Sequence, residues 1–320
     1  MTFNVSTSNN SIPEVFSHGT IRTFTLWLSV VLIGNIFGGI ANVIIAVVTL
    51  NYKPLRICIS SPLIAHCAIL DSLRALVVYP GVSLLAYLAP DYPAFPAAAC
   101  RYIGGIGSLI VFTTNWAYCC LAGHRFCAAI FPHHFHYLSR RCIAVAINCL
   151  PWLLSLLFLA FPVFEIHVKF VYTRPWSACV LGPLGGLVSG LFIAVVTYLP
   201  CAVSGFCYVV ICLNAWLMSS SLKKTTPKMA RIRGTLQRRF QISRLLFVCS
   251  LFTVVMTLPL PLALAWFPAY FTTNFVAQMW VRLPQFLASA FNPIVYMLVS
   301  RDYRNGVLKI LRNGDHHAFY

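Results

Sequence analysis

The sequence predicts an all-α membrane protein: a seven-transmembrane helix bundle closed by a short amphipathic C-terminal helix. Three observations carry that expectation. Of the 320 residues, 59% are hydrophobic and only 9% are charged, with a mean hydropathy of +0.81, whereas soluble domains carry about 25% charged residues. Apolar runs of about 20 residues, enough to cross a bilayer, recur seven times, at 25–50, 59–87, 98–124, 143–164, 187–214, 244–267 and 277–299. After Ser300, apolar Tyr303, Val307, Ile310 and Leu311 interleave with Arg304, Lys309 and Arg312, the spacing of a helix lying in the membrane interface. We read one domain over 1–320: an N-terminus over 1–24, spans over 25–299, and the amphipathic helix with a short tail over 300–320.

Charge orients the spans. The net charge of +17 is concentrated in alternate connections. Lys53 and Arg56 follow span one, and Arg140 and Arg141 follow span three. Lys223, Lys224, Lys228, Arg231, Arg233, Arg238 and Arg239 follow span five, and Arg301, Arg304, Lys309 and Arg312 follow span seven. The opposite connections hold only Arg22, Arg101, Lys169 and Arg174. Positive charge stays inside, so the N-terminus is expected outside and the C-terminus in the cytoplasm, as an odd number of spans requires. The basic face suits anionic lipid headgroups rather than nucleic acid. The first twenty residues are polar and the first apolar run is too long for a signal-peptide core, so no cleavable signal is expected. Asn4-Val5-Ser6 and Asn9-Asn10-Ser11 are glycosylation acceptors on the outer segment.

Most of the thirteen cysteines fall inside spans, where cysteine behaves as a small apolar residue. Cys100, at the outer start of span three, and Cys179, in the second outer loop, lie where an oxidising compartment pairs thiols. Span six is expected to extend into the cytoplasm, because Arg231 to Arg244 has helix-favouring composition.

Polar residues inside spans are expensive and therefore candidates for function. Asp71 in span two is the clearest, the alternative being a neutral carboxyl buried for packing. Asn42 in span one, Thr114 in span three and Asn292 in span seven keep it company. Near the end of span seven, Asn292-Pro293-Ile294-Val295-Tyr296 combines a proline that breaks the helical ladder with an amide and a phenol, none of which facing lipid requires.

That string resembles the NPxxY motif of rhodopsin-like (class A) G-protein-coupled receptors. The likeness extends over essentially the whole chain. Ala41-Asn42-Val43 resembles the family's GNxxV pattern, Asp71 its span-two aspartate and Cys100 its bridge cysteine; Trp152 and Pro162 suit span four. Pro200 with Tyr208 matches the span-five pair, and Pro259 or Pro261 the span-six kink. The resemblance implies a plasma-membrane receptor that binds an extracellular ligand and couples to a heterotrimeric G protein, with arrestin a further partner. Arg125, Tyr208, Asn292, Pro293 and Tyr296 would form the activation switch, and Asp71 with Asn42, Thr114 and Asn292 a polar core that holds a sodium ion. The stretch 172–179 and the tail are also similar to the melatonin-receptor neighbourhood and its Moody-like orphan relatives.

Two departures are informative. The span-three signature reads His124-Arg125-Phe126, without the usual acid, and the foot of span six offers Arg238 and Arg239. Arg125 thus lacks two carboxylate restraints, and raised basal signalling is expected. Thr257-Leu258-Pro259 replaces the tryptophan found before the span-six proline.

For the ligand, Gly107 stands where amine receptors carry an aspartate, and span seven holds no lysine for a retinal Schiff base. The outer half carries Arg74, Arg101, Arg174 and Arg282 instead. Guanidinium groups suit carboxylate or phosphate. Arg74, Gly107, Arg174, Arg282 and Phe286 are the expected ligand-binding residues, for a lipid-like or anionic small molecule, with Phe112, Trp116, Trp266 and Phe267 as further apolar walls. Two alternatives concern the arginines: Arg282 pairs with Asp91 or Glu165, and Arg74 pairs with Asp71 one turn away. A peptide ligand is the alternative within the same fold. A transporter is the alternative outside it, but repeat symmetry and paired intramembrane charges are not evident. No HExxH, GxSxG or pair of intramembrane acids suggests an enzyme. His133, His134 and His136 lack cysteine or acidic support for a metal.

Overall fold

The computed structural model describes residues 18–57, 60–88, 97–131, 140–173, 178–183, 186–221, 230–267, 270 and 273–312. Span one is α1 (His18–Asn51), followed by one turn, α2 (Lys53–Arg56). Span two is α3 (Ser61–Leu73), a π-helical turn (Arg74–Val78) and α4 (Tyr79–Leu88). Spans three and four are α5 (Ala97–Ile130) and α6 (Arg141–Val163). A hairpin of β1 (Val168–Thr173) and β2 (Ala178–Pro183) precedes span five, which is α7 (Gly186–Ile193), a second π turn (Ala194–Tyr198) and α8 (Leu199–Ser221). Span six is α9 (Ala230–Thr257) and α10 (Pro259–Trp266); span seven is α11 (Phe275–Val299), and α12 (Arg301–Arg312) turns away from it by 103°.

Proline chemistry explains where these helices change. A proline ring removes one N–H and crowds the carbonyl four residues earlier. Each π turn ends two residues before a proline, Pro80 or Pro200, so the helix widens where the crowded carbonyl needs room. Span six is interrupted at Leu258, before Pro259, although Leu258 keeps helical dihedrals and donates to the Val254 carbonyl at 2.9 Å. The span over 244–267 is thus two helices that meet at Pro259, the first of the two prolines expected to mark its kink, and α9 begins at Ala230, in line with its helix-favouring composition. Spans one and three run several residues beyond their apolar limits.

The bundle packs α1 against α11 and α3, and α5 against α6 and α8. Small residues set the closest approach: a Cβ on Gly38 would lie 2.3 Å from the Ala290 backbone. Only a glycine allows the two helices that separation. Buried apolar side chains gather in two clusters. One, toward the disulfide end, centres on Phe24, Trp27, Tyr79 and Phe286. The other, toward the tail end, contains Leu121, Tyr208, Leu245, Tyr296 and Tyr303.

Candidate functional site

The disulfide end is organised by Cys100–Cys179, whose Cα atoms are 5.3 Å apart. Cys179 sits opposite Tyr172 in the antiparallel hairpin, so the bond ties the hairpin to the start of α5. Phe170 covers Gly104, where a Cβ would meet its ring at 2.7 Å. Glu165, at φ 58°, introduces the hairpin and pairs with Arg101 at 2.5 Å. That pairing corrects the proposed Arg282–Glu165 bridge: Arg282 donates instead to Gln278 Oε1 at 2.8 Å, one turn back on its own helix. Asp91 lies outside the described residues, as do Arg174, Asn4, Asn9 and the three histidines of the 132–139 stretch.

Halfway along the bundle, Asp71 is 1% exposed. Its Oδ2 accepts from the Tyr118 hydroxyl at 2.5 Å and from Asn292 Nδ2 at 2.7 Å, and that amide also donates to the phenol oxygen at 3.1 Å. Three spans thus meet in one closed triangle. Hydrogen bonds to an ionised acceptor are worth about 1.5–3 kcal/mol each. Tyr118 was not anticipated, because an aromatic in an apolar helix reads as packing; nothing in its spacing distinguishes it. Thr114 is buried nearby, but its hydroxyl is turned back onto the Ile110 carbonyl at 2.7 Å.

Asn42 plays a backbone role that the proline dictates. Pro293 offers no N–H to the Ser289 carbonyl four residues earlier, and Asn42 Nδ2 supplies one across the α1–α11 interface at 2.8 Å. The oxygens Asn42 Oδ1, Asp71 Oδ1 and Asn292 Oδ1 are buried and without a hydrogen-bond partner. Carboxylate and amide oxygens are ligands for hard cations; the donor set fits the sodium ion expected at Asp71.

Arg74 is not paired with Asp71. It is 4% exposed, and its Nη2 donates to the hydroxyl of Tyr79 at the far end of the π turn, with Cζ 5.3 Å from the Tyr79 ring centre. Tyr79 stacks on Phe286 at 4.9 Å, and Phe286 touches Trp27, whose indole N–H donates to the Met279 carbonyl at 2.8 Å. Gly107 faces Val78 of the same turn: a Cβ there would meet it at an ordinary 3.6 Å. Of the other aromatics, Phe112 is buried, but Trp116 stacks on Phe158 of span four, and Trp266 and Phe267 are 75% and 64% exposed. These last three are not brought to the Arg74–Phe286 group.

At the tail end Arg125 is 5% exposed and Tyr208 lies within its electrostatic reach. Tyr208 and Tyr296 are buried in one cluster with Leu121 and Leu245. Tyr296 meets Tyr303 of α12 edge-on at 5.0 Å, and the Tyr303 and Thr49 hydroxyls share a 3.0 Å hydrogen bond. His124, standing where an acid was expected, makes a 3.0 Å bond from Nδ1 to the Ser60 hydroxyl at the foot of span two. Trp152 donates to His66 Nε2 at 3.0 Å, tying span four to span two. Neither His66 nor Ser60 stood out in the sequence; each is an ordinary polar residue until the partner span is in place.

Compared with protein families, residues 41–296 match the family "7 transmembrane receptor (rhodopsin family)". The chain belongs to that family. It is a G-protein-coupled receptor of class A, a multi-pass plasma-membrane protein and a signalling receptor rather than an enzyme. No curated protein sequence matches it.

Proposed function

We propose that this receptor couples an extracellular anionic, lipid-like small molecule to a heterotrimeric G protein, with its disulfide end and N-terminus outside. The observation that carries the coupling is the joined arrangement of Asp71, Tyr118 and Asn292 above a buried Arg125, Tyr208 and Tyr296. A change at the disulfide end that moves α11 must break or re-form bonds to Asp71. The outcome at the tail end is a population shift toward a state in which span six has swung out and exposed Arg125.

Orientation rests on the cationic connections, and Asn4 and Asn9 would then carry glycans. On α12, exposed Arg301, Arg304, Lys309 and Arg312 accompany exposed Leu308 and Ile310, a face for anionic lipid at the cytoplasmic leaflet. Arrestin would share the cavity with the G protein. Asp71, Asn42 and Asn292 would hold sodium, with the Thr114 hydroxyl beside them; the ion would supply positive charge to the carboxylate. The ligand is assigned to the group around Arg74, Gly107, Arg282 and Phe286, with Arg174 of the second outer loop.

The test is reconstitution of the full chain with a panel of G proteins, reading nucleotide exchange without ligand. Exchange above background on at least one G protein is expected, because no acid flanks Arg125. Silence on all of them would remove the coupling reading.

A further inference from the structure

We propose that Arg74 and Tyr79 form a seat for a single monoanion, one helical turn from Asp71, and that this seat receives the acid group of the receptor's ligand. The inference rests on the receptor reading above and names the chemistry of its ligand. The π turn creates the seat: its closing bond runs from the Tyr79 N–H to the Arg74 carbonyl, so the two side chains stand over one another. Arg74 is 4% exposed, yet no carboxylate of the described residues lies within salt-bridge distance of it. The nearest acid in sequence, Asp71, has Oδ2 taken by Tyr118 and Asn292.

Asp71, one turn away, lies within electrostatic reach and offsets part of the Arg74 charge. No carboxylate oxygen of the described residues bonds the guanidinium, however, whose hydrogen-bond partner is a neutral phenol, so burial favours an anion in direct contact with it. Two donors are left for that anion. Arg74 Nε has no partner. The Tyr79 oxygen is used as an acceptor, so its own proton remains to be donated. Two N–H and O–H donors around one positive charge match a carboxylate or a halide, which accept without donating. Arg282 is less suited, because its guanidinium is directed onto Gln278. The Phe286 ring, stacked on Tyr79, gives the acid an apolar neighbour, as an amphiphile requires.

The full chain in phosphatidylcholine nanodiscs, in potassium sulfate buffer free of chloride, is titrated with potassium oleate, methyl oleate or potassium chloride while thermal unfolding is followed by tryptophan emission. Oleate, chloride or both are expected to raise the midpoint saturably, and methyl oleate is not. Response to oleate alone identifies a ligand headgroup, and response to chloride alone an inorganic anion. Arg74→Gln should abolish the shift, and Tyr79→Phe should raise the half-saturating concentration about tenfold, the worth of one charge-assisted hydrogen bond. If Arg74→Gln does not fold, Tyr79→Phe decides. No shift with either anion, an equal shift with methyl oleate, or variants that respond as wild type would overturn the seat. Nucleotide exchange on the same nanodiscs separates the two readings. Exchange that Arg125→Ala removes but no anion alters keeps the receptor and discards the seat. Anion binding without exchange on any G protein does the reverse.

Discussion

Spans six and seven lie side by side and are held in opposite ways. Span seven is bonded to its neighbours along its length: Met279 accepts from Trp27, Ser289 from Asn42, and Asn292 donates to Asp71 and Tyr118. In span six, the described side-chain hydrogen bonds return to their own helix, from Thr253 to the Cys249 carbonyl and from Thr257 to those of Thr253 and Val254. Its grip on the bundle is apolar, through Leu245, Leu246 and Cys249 and an edge contact of Phe252 with Phe291 at 6.4 Å. Hydrogen bonds are directional and costly to leave unmade. Dispersion contacts are individually small and can re-form after a slide. A single chain has thus built a fixed wall and a movable one, and the interruption at Pro259 lies in the movable one.

Substitutions can break or sharpen this contrast. The largest effect is expected from Arg125→Ala, which should reduce nucleotide exchange to background while the unfolding midpoint stays within a few degrees of wild type. Retained exchange would show that the movement of span six is not read through this arginine. Next is Asn292→Ala, which removes both bonds to the triangle and should cost about 3 kcal/mol in unfolding free energy. A loss under about 1 kcal/mol would show span seven to be no better tied than span six. Gly38→Val forces a side chain against the Ala290 backbone and should destabilise by about 1–3 kcal/mol. Gly205→Ala, whose Cβ meets nothing within 4 Å on α8, should stabilise by about 1 kcal/mol through helix propensity. The smallest effect belongs to Thr257→Ala. Among the described residues its hydroxyl bonds to its own helix, and thermal unfolding should change by less than about 0.5 kcal/mol. A larger change would mean that span six has polar ties of its own.

The wall of span seven was largely legible from sequence. Asp71, Asn42 and Asn292 are expensive in lipid, so their presence alone marks a shared polar core, and Pro293 explains which carbonyl needs Asn42. The two outer cysteines were legible because they alone lie where an oxidising compartment pairs thiols, while most of the others fall inside spans. Tyr118 was not, since a phenol costs little to bury and differs from a phenylalanine only when an acceptor lies across the interface. The Arg74–Tyr79 contact was hidden for another reason. Residues five apart do not share a face of an α-helix, and only the π turn before Pro80 brings them together. Helical spacing pointed Arg74 to Asp71 instead. Pro80, six residues after Arg74, was the available signal that the helix is not regular there.

The 103° bend between α11 and α12 has a consequence for the lipid. Helix α1, of 34 residues, is about 51 Å long, against a hydrocarbon layer of about 30 Å. At its Asn51 end it is clamped to α12 by the Thr49–Tyr303 bond and by Gly306, where a Cβ would lie 2.5 Å from Val48. If α12 lies in the interface, as its interleaved apolar and basic residues predict, it acts as a float that fixes immersion depth at that end. The surplus length of the first span must then emerge at the other, so thickening or thinning of the membrane is absorbed at the Trp27 end.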